Sequence, residues 1–153
     1  MTKIELATIN DLTPLSILFD AYRVFYRKRS DIEGAASYLN ERILCKQAII
    51  YIATIEGELV GFTLLYPLFS STNMRQMWLL NDLFVTPKHR GKKISKGLIK
   101  AAQKYCELTK AQGISLETEK NNIEGNGLYP KMGFDLDKEH NFYFWENPTF
   151  SSL

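Results

Sequence analysis

Cys45 and Cys106 are the only two cysteines in 153 residues, and they stand far apart with no CxxC pair. That excludes a disulfide framework and leaves a thiolate zinc site without ligands. The two histidines, His89 and His140, have no metal-ligand spacing with cysteine or carboxylate, so no metal is expected. Long apolar runs are missing as well. The longest stretches, such as AIIYIAT at 48–54, fall well short of the ~18 residues a bilayer span needs. The opening MTKIELATIND carries no basic-then-apolar leader, and a cytoplasmic protein without a membrane partner is the expectation. Charge of one sign is scarce: 19 Lys and Arg against 17 Asp and Glu leave +2, too mild to mark a nucleic-acid partner. Repeats, low-complexity segments and linkers are absent too. What remains is 45% apolar and 24% charged, the make-up of an ordinary globular chain. A chain of this length buries roughly 68–70% of its unfolded surface, enough for a core. One domain over residues 1–153 is expected.

Patterning gives the elements. KIELAT at 3–8 reads as a short strand, and Asn10-Asp11 suits an N-cap before the apolar series Leu12, Leu15, Leu18, Phe19, Tyr22 and Phe25, a helix to about Arg27. Asp31 opens a second helix to about Lys46. AIIYIATI, the turn-like EGE at 56–58 and LVGFTLLYPLF form a hairpin, and MRQMWLLNDLFV at 74–85 is a third long strand. A helix is expected from Arg90 to Gly113, a strand ISLET at 114–118, a short helix from Asn121-Asn122 to Gly133, and a last strand FYFWEN at 142–147. The fold class is α+β, a central mixed and mostly antiparallel sheet flanked by about four helices.

Chemistry concentrates at the junction VTPKHRGKKISKGLIK, residues 85–100. Six of the 19 basic residues lie between 88 and 100, with no acid among them. A helix N-terminus offers unpaired N–H groups and the positive end of the helix dipole, so the junction suits a phosphate or pyrophosphate. A solvated basic turn is the plain alternative. Neither GxxxxGK[ST] nor a GxGxxG after a strand occurs.

The window Arg90-Gly91-Lys92-Lys93-Ile94-Ser95 resembles the [QR]-x-x-G-x-[GA] pyrophosphate loop of the GNAT superfamily of N-acetyltransferases, departing at Lys93 and Ser95. LNDLFVTP before it resembles the family's fourth strand. LYPKMGF at 128–134 resembles the family's LYxKxGF, with Asn122 seven residues before the tyrosine. The order and spacing of these elements also follow the family. On these residues the chain is identified as a member of the superfamily, similar above all to small amine- and diamine-acetylating members.

The resemblance implies acetyl-CoA as the acetyl donor, released as coenzyme A. It implies that the backbone of Leu83, Phe84 and Val85 pairs with the pantetheine arm. It implies that the N–H groups of Gly91, Lys92, Lys93, Ile94, Ser95 and Lys96 hold the pyrophosphate, with Arg90 near the phosphates. It makes Tyr129 the general acid for the departing sulfur, where an aromatic core residue is the alternative, and Asn122 a contact to the cofactor arm as well as an N-cap. A phenol with a reference pKa of about 10 stays protonated at neutral pH and can donate. Pro130, with Gly125 and Gly127, predicts a short or kinked helix under Tyr129.

For the base, diamine-acetylating relatives place a carboxylate at Asn81, which cannot serve. Asp82 and Glu117 are the nearby carboxylates, with Glu117 slightly preferred and water-mediated deprotonation the third route. Along a regular strand Asn81 and Asp82 face opposite sides. The acceptor is expected between the first two helices and the 70–74 loop, against Tyr22, Tyr26, Glu33 and Asn81, with Phe25, Asp31, Tyr66 and Phe69 nearby. Arg23, Arg27, Lys28 and Arg29 on the first helix favour an acceptor with a carboxylate. Polyamine, free amino acid and peptide lysine rank in that order. Trp78 and Trp145 are expected in core or dimer packing, and a homodimer through the final strand follows from family analogy. The alternative function is a non-catalytic acyl-CoA-binding sensor module.

Overall fold

The computed structural model describes residues 1–150. Two compact units emerge, Met1–Glu117 and a second beginning at Thr118.

The first unit is built on a five-stranded sheet in the order β1-β2-β3-β4-β5: β1 (Thr2–Leu6), β2 (Ile49–Ile55), β3 (Glu58–Ser70), β4 (Arg75–Val85) and β5 (Ile114–Ser115). The first three pairings are antiparallel and β4–β5 is parallel, which makes the sheet mixed and mostly antiparallel as expected. Helices α1 (Leu12–Phe25) and α2 (Ile32–Leu44) cover one face. Helix α3 (Ile94–Leu108) covers the other. Phe62 and Leu64, two apart on β3, share one face, and a bulge that leaves Val60 unpaired between Leu59 and Gly61 turns Val60 to the other. Phe62 and Leu64 pack with Leu15, Phe19 and Leu39 under α1 and α2, while Val60 packs with Leu98 and Ile94 of α3. Fully burying a side chain such as Phe62 contributes about 1.5–3 kcal/mol.

Several boundaries differ from expectation. Asp11 stands at the N-cap of α1 as expected but makes no side-chain cap bond there, and Thr8 caps the 3-10 turn Ile9–Asp11 before it, reciprocally. Its side chain accepts from the Asn10 N–H, while its own N–H donates to Asp11 Oδ2 at 2.7 Å. Asp31 does cap α2, accepting from the Gly34 N–H at 2.8 Å. Helix α3 begins at Ile94 instead of Arg90, because Gly91 (φ 78°) and Lys93 (φ 62°) are left-handed and hold the chain out of the helix. The strand after it is two residues long, so Glu117 lies past its end.

The largest departure inside the sheet is a bulge. Leu64 pairs with Asp82, but Leu65 pairs with Leu80, which leaves Asn81 as an extra residue on β4. Even-numbered positions therefore change face across it. Phe84 meets Tyr22 and Phe25 of α1, whereas Trp78 meets Tyr105 and donates to Thr109 Oγ1 at the end of α3.

In the second unit α4 (Ile123–Lys131) starts at Asn122, whose side chain accepts from the Gly125 N–H at 3.0 Å. The expected last strand at 142–147 does not form. Phe142, Tyr143, Phe144 and Trp145 are 78–91% exposed, against the packing expected of Trp145. An alternating aromatic run has strand propensity, but a strand exists only when its backbone is paired, and no described backbone hydrogen bond pairs residues 142–146.

Candidate active site

A cavity of about 490 Å³ opens between α1, α2 and β4. Its aromatic wall comes from helical spacing: Phe19, Tyr22 and Tyr26 lie three to four residues apart on α1 and at its end, and so share one face. The Phe19 ring stacks on Tyr38 of α2 at 5.9 Å, and the Tyr38 and Tyr66 hydroxyls are hydrogen-bonded, which ties α2 to β3. Burial of the Tyr66 hydroxyl and its bond to Tyr38 raise the Tyr66 pKa.

The bulge sets the polar end. Asn81 and Asp82 both line the cavity, contrary to the strict alternation expected of a strand. Asn81 Nδ2 donates to Asp82 Oδ2 at 3.1 Å. Asp82 is 6% exposed, and burial raises its pKa above the usual carboxylate range. Hydrogen bonds from Asn81 and Tyr22 work in the opposite direction without cancelling the rise.

The α1–α2 connection is held from beneath by Asp20, 5% exposed. It accepts from Ser30 Oγ at 2.7 Å and from the Asp31 N–H at 2.6 Å, with the Arg23 guanidinium 3.8 Å away. Burial raises the Asp20 pKa, but those three partners more than offset it and the net shift is downward. Arg23, Lys28 and Asp31 are thereby placed on the cavity wall. Glu33 and Phe69 are exposed and do not line it, and neither does Glu117. Asp20 and Tyr38 escaped sequence reasoning. Tyr38 had a signal, seven residues past the Asp31 cap on the same helical face, whereas nothing marks Asp20 among the polar residues of an amphipathic helix.

Beside the cavity, β5 accompanies β4 only at Trp78 and Leu79. The β4 edge at Leu83, Phe84 and Val85 thus runs past the end of β5, the opening an extended arm needs to add as a strand. Further on, α3 has no side-chain cap at Lys93, so the first-turn N–H groups of Ile94, Ser95 and Lys96 have no cap acceptor, the geometry that suits an anion. Lys92, Lys93 and Lys96 have no carboxylate partner among the described residues. Lys93 adopts a left-handed backbone (φ 62°), a cost of about 1–2 kcal/mol. Arg90 turns away from the loop: its Nε donates to Val85 O at 3.1 Å, and its guanidinium lies over Phe25 at 5.0 Å. These features fit a pyrophosphate-bearing ligand with a long linear arm.

Comparison with known proteins agrees. The acetyltransferase (GNAT) family model matches residues 15–134. The chain belongs to the GNAT acetyltransferase family. An uncharacterized N-acetyltransferase of Bacillus subtilis (strain 168), YhfO, is 40% identical over 134 residues, 88% of this chain and 90% of the relative. A spermine/spermidine N(1)-acetyltransferase of the same organism is 34% identical over 90 residues, 57% of this chain and 59% of that protein. A crystal structure of a probable acetyltransferase superposes with TM-score 0.91 at 32% identity, covering 95% of this chain and 97% of the other. As a GNAT acetyltransferase the protein is an enzyme, and the mixed sheet with flanking helices read from its sequence is the fold of its structural relatives.

The LYPKMGF motif of this GNAT chain has a structural explanation within the second unit. Gly133 (φ 87°) ends α4 in the left-handed conformation, with the Gly133 N–H bonded to Pro130 O at 3.1 Å and the Phe134 N–H bonded to Tyr129 O at 3.1 Å. That is a Schellman closure, and its apolar contact is Phe134 against the half-buried Tyr129 ring, centroids 5.9 Å apart. Pro130 sits in the last turn of a nine-residue helix, in keeping with the expected short helix.

Proposed function

We propose that the protein transfers the acetyl group of acetyl-CoA to the primary amine of a small molecule bound in the α1–α2–β4 cavity, by direct attack in a ternary complex. The observation that carries this reading is Asp82, a buried carboxylate hydrogen-bonded by Asn81 and Tyr22 at the wall of an aromatic-lined cavity. A base raised above the ordinary carboxylate range is better matched to an ammonium proton than a fully solvated one.

Acetyl-CoA, when bound, supplies an activated thioester carbonyl. Leu83, Phe84 and Val85 offer their backbone to the pantetheine arm, and an N–H there polarises the carbonyl oxygen. The N–H groups from Gly91 to Lys96, with the free lysines, hold the pyrophosphate, and Asn122 contacts the arm through its amide. Arg90 braces Val85 and leaves the phosphates to the lysines. The acceptor reaches the cavity as an ammonium ion held against Tyr22, Tyr26 and Tyr66. Asp82 takes one proton, and the nitrogen lone pair bonds to the acetyl carbon as the C–S bond breaks. Tyr129 gives its phenolic proton to the sulfur, and the new amide nitrogen sheds its second proton to solvent. Glu117, exposed and outside the cavity, is the weaker candidate for base.

Replacing Asp82→Asn keeps shape and hydrogen bonding but removes the base. Turnover should fall by about 10²–10⁴-fold, while acetyl-CoA still binds by calorimetry. Unchanged turnover removes Asp82 from the mechanism.

A further inference from the structure

The charges around the cavity are unequal in what they are free to do. On the α1–α2 side, the acids are occupied in holding the chain. Asp20 is buried and engaged by Ser30 and by the Asp31 backbone, and Asp31 Oδ1 is committed to the α2 cap. The cations there are not occupied to the same degree. Arg23 Nη1 donates to Arg29 O at 3.2 Å and stands 3.8 Å from Asp20 Oδ1, a loose pairing that fixes one edge of the guanidinium, with the side chain 30% exposed. Lys28 lines the cavity, and its ammonium has no carboxylate or hydrogen-bond partner among the described residues. At β4 the arrangement is reversed: Asp82 sits among Tyr22, Tyr66 and Asn81, with no cation bonded to it.

A polyamine would meet Asp82 at β4 and then two cations beside Asp31, whose Oδ1 is held by the α2 cap. An amine that also carries an anionic group would find a partner for each end. Aromatic faces beside Asp82 favour an ammonium, and a guanidinium with free N–H groups favours a carboxylate. We infer that the acceptor is an amine bearing a carboxylate, such as a free amino acid, with its anionic group held by Arg23 and Lys28 and its amino group directed to Asp82. The inference rests on the reading of this cavity as the acceptor site.

The test uses acceptors that differ in the carboxylate alone: L-lysine with cadaverine, L-ornithine with putrescine, L-phenylalanine with phenethylamine, and each amino acid with its amide. Acetyl transfer is followed by coenzyme A release. The amino acids accepted should exceed their decarboxylated and amidated partners in kcat/KM by at least ~10-fold, the equivalent of one good ion pair. Lys28→Glu, a change on an exposed residue, should reduce that ratio by at least ~10-fold through KM, and Arg23→Gln should act in the same direction. A preference for the diamine or amide, or a ratio unmoved by Lys28→Glu, overturns the inference. If no amine of either kind is acetylated, the catalytic reading fails by itself. Calorimetric binding of the same pairs to the coenzyme A-loaded protein then decides: tighter binding of the amino acid that Lys28→Glu removes upholds the inference, and equal or weaker binding overturns it.

Discussion

Asn81 Nδ2 donates to Asp82 Oδ2 at 3.1 Å across a bulge that puts two consecutive strand residues on one cavity. The neighbouring amide gives the carboxylate a hydrogen bond without a countercharge, so Asp82 stays raised by burial and not neutralised by a salt bridge. The same pairing makes the site sensitive to pH in two opposite ways.

Activity needs Asp82 ionised, so the acidic limb of kcat/KM should lie above the ordinary carboxylate value of 3.8 and should disappear in Asp82→Asn. Stability runs the other way. A folded pKa above the unfolded one means that the folded state binds more protons between the two values, so wild-type stability rises as pH falls through that window. Asp82→Asn should be at least as stable as wild type at pH 8, by up to about 1 kcal/mol, and the difference should vanish in acid. Denaturant melts at several pH values check this.

Asp20 has the opposite sign. Its folded pKa is depressed below 3.8, so its contribution is full above that value and is lost as pH falls through the folded pKa. Asp20→Ala strands the Ser30 hydroxyl and the Asp31 N–H and should cost about 1–3 kcal/mol, seen as a lower melting temperature. It should also weaken acceptor KM, because Arg23, Lys28 and Asp31 lose their support.

For Tyr129→Phe the ring contact with Phe134 and the backbone closure at Gly133 both survive. Turnover should therefore fall at least ~10-fold with a much smaller loss of melting temperature. Gly133→Ala should do the reverse, destabilising by about 1–2 kcal/mol through its φ of 87°.

Lys92→Gln, Lys93→Gln and Lys96→Gln together should weaken acetyl-CoA binding by more than ~10-fold at low salt and flatten its dependence on ionic strength. Calorimetry at two salt concentrations reads both. An affinity unmoved by the triple change would contradict the assignment of this loop to the pyrophosphate.

Where the sequence was legible, it was because a local pattern and its tertiary partner agreed. Phe62 and Leu64 of β3 and the amphipathic α3 each match an apolar surface that receives them, and the Asp31 cap meets the Gly34 N–H it needs. The bulge was hidden because two consecutive polar residues, Asn81 and Asp82, interrupt the apolar runs MWLL and LFV, so no alternation reveals where the face changes. FYFWEN had strand propensity, but whether a strand pairs is a tertiary fact that the segment does not contain. Of the proposed acceptor residues, Tyr22, Tyr26 and Asn81 line the cavity. Glu33 does not, since its neighbours Asp31 and Gly34 occupy the wall and the next helical position turns away.

The most direct measurement incubates the protein with acetyl-CoA and a panel of amino acids, polyamines, aminoglycosides and lysine peptides, and weighs the products by mass spectrometry. The account predicts an acetylated amine from one acceptor class, formed in equal amount with free coenzyme A. Acetyl-CoA bound tightly with no amine acetylated across the panel would contradict it.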